Sequence, residues 1–80
     1  MSIVIYSKPN CPNCDSAKKL LESKGLRHIT INVQEHPAAF ATLLESYPDA
    51  RQMPQIFIQG QRVGGLAGLQ AALKQLEANT

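Results

Sequence analysis

Apolar positions along the chain fall into short groups, and the spacing inside each group predicts an element. Ile3-Val4-Ile5-Tyr6 is a continuous β-branched and aromatic run, as expected of a short strand covered on both faces in the middle of a mixed or parallel sheet. It stops at the turn-rich Ser7-Lys8-Pro9-Asn10. From Pro12 to Lys24 the apolar or small residues Cys14, Ala17, Leu20 and Leu21 form a helical stripe, and Gly25 stands where a left-handed cap would close it. Ile29, Ile31 and Val33 alternate with His28, Thr30 and Asn32, which predicts a strand with one face toward the core. Pro37 opens a second helix whose Phe40, Leu43, Leu44 and Tyr47 follow the i, i+3, i+4, i+7 pattern, and Pro48 lies just past its end.

After a polar loop, Gln55-Ile56-Phe57-Ile58 reads as a third strand with Pro54 tolerated at its start. Gln59-Gly60 makes a tight turn into a short fourth strand, Gln61-Arg62-Val63. Beyond Gly64-Gly65, the residues Leu66, Leu69, Ala72, Leu73 and Leu76 form a last amphipathic helix. The order is β-α-β-α-β-β-α, an α/β sandwich in which residues 1–80 form a single domain, since half of an 80-residue chain would be too small to fold unaided. Phe40, Tyr47 and Phe57 lie on apolar stripes and are expected in the core.

Composition narrows the function. A 44% hydrophobic and 18% charged chain is that of an ordinary folded domain, and its longest apolar run, Ile3 to Tyr6, is far too short to span a bilayer. No membrane association is expected. The net charge is +2, with Lys8, Lys18, Lys19, Lys24 and Arg27 facing only Asp15 and Glu22 in residues 1–27. That bias is too mild for nucleic acid, which needs a dense basic face, and suits a small anionic substrate near the amino-terminal end. With no leader-like opening segment, a cytoplasmic protein is expected.

The chemistry points to the two cysteines, Cys11-Pro12-Asn13-Cys14, placed between the first strand and the first helix. A helix start presents unpaired N–H groups and partial positive charge, which favour a thiolate at the earlier cysteine. Cys11 is then the attacking group, at the exposed start of the helix. Cys14, one turn on and more buried, resolves the mixed disulfide. Pro12 fixes the first helical turn and removes a donor that has no helical partner. Lys8 adds positive charge nearby, while Asp15 opposes the thiolate. An inert core pair or a zinc site is the alternative. Zinc fails on placement, because His28 reads as a solvated strand residue and His36 as a helix cap, whereas a finger needs both histidines on one helix. No metal site is expected.

Tyr6-Ser7-Lys8 leading into Cys11-Pro12-Asn13-Cys14, Met53-Pro54 ahead of the third strand and Gly64-Gly65 ahead of the last helix stand in an order that resembles the glutaredoxin family over nearly the whole chain. The resemblance implies a thioredoxin-like fold with a four-stranded mixed sheet and three helices. It implies a thiol–disulfide oxidoreductase that uses glutathione as co-substrate, with no bound cofactor, to reduce protein disulfides or glutathionylated proteins as a monomer. Cys11 and Cys14 are then catalytic, and Lys8, Pro12, Asn13, Met53, Pro54, Gly65 and Leu66 contact glutathione. Lys8 meets a carboxylate of the tripeptide, and the amides of Gly65 and Leu66 hold the γ-glutamyl carboxylate. Pro54 follows a cis bond, and the Met53 backbone pairs with the cysteinyl segment like an added strand. Apart from the resemblance, Lys8 is a surface lysine, Gly64-Gly65 a turn with positive φ, and Arg51 and Gln52 either line the groove or belong to a solvated loop.

Two departures bear on this. Asn13 stands where the family usually has an aromatic, and Gly64-Gly65-Leu66-Ala67-Gly68 lacks the two aspartates that commonly follow the glycines. The second departure is shared by glutaredoxin-like redoxins that draw electrons from thioredoxin reductase and serve ribonucleotide reductase, so that alternative stays open. A third is an iron–sulfur cluster held between Cys11 of two protomers and two glutathiones, which Pro12 disfavours.

Overall fold

In the computed structural model, which describes residues 1–78, β1 (Ile3–Ser7) is followed by α1 (Pro12–Ser23), β2 (Ile29–Asn32), α2 (Pro37–Ser46), β3 (Gln55–Ile58), β4 (Gln61–Gly64) and α3 (Leu66–Ala78). The last two residues of the expected 1–80 domain lie outside the described residues. All seven predicted elements are present, with ends within one or two residues of those read from the apolar pattern. The strands form one sheet in the order β2-β1-β3-β4. β1 runs parallel to β2, with Val4 opposite Ile29, and antiparallel to β3, with Ile5 opposite Ile56. The β3–β4 hairpin turns at Gln59 and Gly60, both at positive φ (53° and 77°), as the tight turn of a twisted hairpin requires.

Because strand side chains alternate, the sheet builds two cores. Ile3, Ile5, Ile56 and Ile58 meet Ala17 and Leu21 of α1 and Leu69 and Leu73 of α3 on one face. Tyr6 and Phe57 turn to the other face, where they pack with Val33, Leu43, Ala50, Met53 and the two cysteines. Phe40 and Tyr47 join this second cluster half-buried, as expected, and the Phe57 ring meets those of Tyr6 and Tyr47 edge-on at 5.8 and 5.4 Å.

Some expectations are corrected. Ile29 is 63% exposed although the alternation put it in the core, because β2 is an edge strand whose burial grows only toward Val33. His28 precedes β2, half-buried, with Nδ1 at 3.4 Å from the Leu26 carbonyl oxygen, so it is neither a strand residue nor fully solvated. His36 occupies the cap position of α2 without a side-chain capping bond. Of the glycine pair, Gly64 has the positive φ (97°) and Gly65 does not.

Gly68 has a packing role. In the first turn of α3 it lies so close to β4 that an added Cβ would overlap the Val63 carbonyl. This approach lets Leu69 and Leu73 reach the first core fully. Alanine is a better helix former than glycine by about 1 kcal/mol, yet forcing backbone apart in a packed core costs roughly 1–3 kcal/mol. Gly68→Ala is therefore expected to lower the midpoint of urea unfolding despite its higher helix propensity, and a raised midpoint would show that α3 shifts freely.

Candidate active site

β1 ends at Ser7, and Asn10, at φ 56°, redirects the chain into α1. Cys11 is the N-cap of α1, in extended conformation, and Pro12 occupies the first turn. The cap is made by sulfur. The Cys14 N–H donates to Cys11 Sγ at 3.2 Å, while the Cys11 carbonyl accepts from the Asp15 N–H at 3.1 Å. Capping side chains are usually hydroxyl, carboxylate or amide oxygens, so a cysteine here places sulfur where an acceptor with negative charge is favoured. The same geometry stabilises a thiolate once the sulfur is reduced.

Cys11 and Cys14 are joined as a disulfide across a Cα separation of 5.2 Å, inside the ordinary range for such a bridge. The expected asymmetry is present, with one correction. Cys14 is fully buried, and Cys11 is nearly so at 6% exposure, not openly exposed. The second-core cluster closes around both, and Met53 is its outer member beside Cys11: the Met53 carbonyl oxygen lies 3.7 Å from Cys11 Sγ.

Over Cys11 lies a shallow open cleft of about 300 Å³ lined by Lys8, Asn10, Cys11, Pro12, Asn13 and Met53. Five of these residues were singled out from the sequence. Asn10 was not, because nothing in a turn residue signals a wall. The Met53–Pro54 bond is cis, as the resemblance implied, and Pro54 is buried. Gly65 and Leu66 do not line the cleft. A Cβ on Gly65 would stand 3.6 Å from the Pro54 carbonyl oxygen, so Gly65 adjoins the loop behind Met53, and Leu66 packs its side chain on the first core, leaving only its amide for a ligand. Arg51 and Gln52 are exposed and do not line the cleft. Among the described residues no three His, Cys, Asp or Glu side chains gather as a metal site.

A polar chain stands behind the Met53 loop and was not legible in the sequence. Arg62 on β4 donates through both terminal nitrogens to the two Asp49 carboxylate oxygens (3.0 and 2.9 Å) and through Nε to Gln55 Oε1 (3.1 Å). Gln55 Nε2 donates in turn to the Gln52 carbonyl at 2.8 Å. The guanidinium lies 5.1 Å from the Tyr47 ring centroid. Its hydrogen bonds hold the Asp49 carboxyl below the usual carboxylate range, opposed by a smaller desolvation effect. A carboxyl lowered in the folded state adds stability above its unfolded pKa and loses it as pH falls through the folded value.

The family profile described as Glutaredoxin matches residues 3–63. A glutaredoxin of Neisseria meningitidis serogroup A is 41% identical over 69 residues, 85% of this chain and 80% of that protein. Glutaredoxin 3 of Escherichia coli K12 is 34% identical over 70 residues, 88% of this chain and 83% of that one. Among solved structures, the buckwheat glutaredoxin–glutathione complex superposes with a TM-score of 0.78 at 30% identity, covering 91% of this chain and 68% of that chain. The glutaredoxin-like NrdH-redoxin of Escherichia coli, described by its thioredoxin-like activity profile, superposes at 0.75 with 28% identity, covering 85% and 87%.

The cap geometry predicts which sulfur ionises first. In the Cys14→Ser variant, thiolate absorbance of Cys11 should rise well below the free-cysteine pKa of about 8.5, whereas Cys14 in Cys11→Ser should not ionise there. The opposite order would move the nucleophile to Cys14.

Proposed function

The chain belongs to the glutaredoxin family and is a thiol–disulfide oxidoreductase of thioredoxin-like fold, and from that premise we propose that it reduces protein disulfides and glutathionylated proteins with glutathione as electron source. The observation that carries the reading is Cys11 Sγ capping α1 at the floor of a cleft whose other wall is the Met53 carbonyl. The buckwheat neighbour, a glutaredoxin–glutathione complex, supports the choice of tripeptide.

On a protein disulfide, the Cys11 thiolate attacks one sulfur and releases the other as a thiol. Cys14 then attacks Cys11, freeing the reduced protein and leaving the internal disulfide. One glutathione opens that disulfide as a mixed disulfide on Cys11, and a second removes it as oxidised glutathione, so two thiols are oxidised for each disulfide reduced. On a glutathionylated protein, Cys11 takes the glutathionyl group directly and a second glutathione resolves it, without Cys14. The Met53 backbone receives the cysteinyl segment as an added strand, with Pro54 completing the loop. Lys8 faces a carboxylate, Pro12 and Asn13 form the near wall, and the Gly65 and Leu66 amides at the start of α3 hold the γ-glutamyl carboxylate. The reading places a monomeric enzyme in the cytoplasm, where a glutathione pool keeps it reduced.

The reductase-fed redoxin is the second reading, favoured by the NrdH-redoxin likeness and by the residues that replace the aspartates. The two replaced positions are not equivalent. Ala67 is exposed and has room for a carboxylate, whereas position 68 is closed by the Val63 carbonyl. A charge pair of this kind contributes from about 0.2 kcal/mol when exposed to a few kcal/mol when charge-assisted and shielded.

Ala67→Asp should therefore raise glutathione-dependent turnover about two- to tenfold, mainly through apparent affinity, as read in steady-state kinetics. In a coupled assay the parent protein should turn over faster with glutathione and its reductase than with thioredoxin reductase alone. A faster rate with the latter transfers the assignment to the redoxin. Cys14→Ser should retain activity on glutathionylated substrate and lose most of it on protein disulfide, and equal loss on both would contradict the two-route scheme.

A further inference from the structure

The active site needs the Met53 carbonyl held opposite Cys11, yet Met53 belongs to the connection between α2 and β3, which has no regular structure of its own. Within that loop the backbone bonds are local: the Ala50 N–H donates to the Tyr47 carbonyl, and the Arg51 N–H to that of Asp49. The loop is tied to the sheet from β4. Arg62 covers the Tyr47 ring where the loop leaves α2, grips Asp49 with two parallel bonds in its middle, and holds the buried Gln55 side chain at its end. By donating to Gln55 Oε1, Arg62 sets the amide so that its Nε2 faces the Gln52 carbonyl, the peptide oxygen immediately before Met53.

We infer that Arg62 is a positioning residue of this active site: acting through Asp49 and Gln55, it holds the loop that presents Met53 and so governs how well a disulfide substrate seats beside Cys11. This rests on the reading in which the Met53 backbone receives the substrate. Arg62 does not line the cleft, so it acts on the reaction only through the loop. Three separately directed N–H donors are needed, which the guanidinium fork supplies and a lysine ammonium at the end of a flexible stem does not. Since an ion pair this open to solvent adds little to global stability, the consequence is local: the loop keeps one conformation before substrate arrives.

The test uses the full chain with Arg62→Met, Arg62→Lys and Asp49→Asn. Arg62→Met should speed hydrogen exchange at the Ala50 and Arg51 amides, which are bonded within the loop, by about fivefold or more and raise KM for a protein disulfide about three- to tenfold. Both kcat and the pH at which Cys11 thiolate absorbance rises in the reduced protein should stay nearly unchanged, kcat within about twofold, because the cap at the start of α1, and not the loop, supports the thiolate. Arg62→Lys should recover only part of the KM, and Asp49→Asn, at an exposed carboxylate, should move exchange and KM the same way by a smaller factor. Unchanged exchange and KM in Arg62→Met, or a kcat that falls and a Cys11 thiolate titration that shifts as KM rises, overturns the assignment. If the parent proves to use thioredoxin reductase, KM is measured with that donor, so the fate of the glutathione reading and that of Arg62 are read separately.

Discussion

One hydrogen bond organises this molecule's chemistry, that from the Cys14 N–H to the Cys11 sulfur at the start of α1. It makes the reactive atom a part of the helix, so whatever positions α1 also positions the sulfur. It also sets the direction of the chemistry. Sulfur in this position is favoured as an anion by an N–H donor and by the helix dipole, while the Cys14 sulfur, fully buried, has no such support. Cys11 is nearly buried, and its open side is the cleft from which a disulfide can approach.

The cap is useful only if a second wall faces it, and the sheet supplies that wall. β1 lies between β2 and β3, so its carboxy-terminal end, which delivers Cys11, and the amino-terminal end of β3, which follows Pro54, meet at one edge of the molecule: Tyr6 stands opposite Gln55 in the register. The first core fixes this register through Ile5 and Ile56, both fully buried. The second core sets the depth at which the cysteines and Met53 sit. Stability and function thus use the same strand pairing, with the site at the end of the strands where loops can diverge.

At the start of α3, outside the cleft lining, the chain differs from its family's usual pattern. Gly68 brings α3 hard against β4, and the loss of an acid at this position is therefore coupled to packing, not only to ligand charge. Ala67 carries no such constraint and is an exposed site. Asn13, also exposed, leaves the cleft open on the side where an aromatic would form a flat wall.

The order and type of the elements, the cysteine pair at a strand-to-helix junction and the apolar stripes of the helices were legible in the sequence alone. Each depends on residues within a turn or two of one another: Pro12 and Gly25 bound α1, and Gln59-Gly60 closes the hairpin. Matching three separated motifs to a known family extended that reading to Met53-Pro54. Tertiary structure alone decided the rest. Ile29 is exposed although its alternation resembles that of a buried strand, because sheet order and not periodicity makes β2 an edge. Asn10 lines the cleft, Gly68 touches Val63, and Arg62 reaches Asp49 and Gln55, three contacts without a local sequence signal. Cys11 and Met53 are 42 residues apart, and their approach exists only once the strands have paired, because side-chain periodicity records which face a residue turns inward and not which distant residue it meets there.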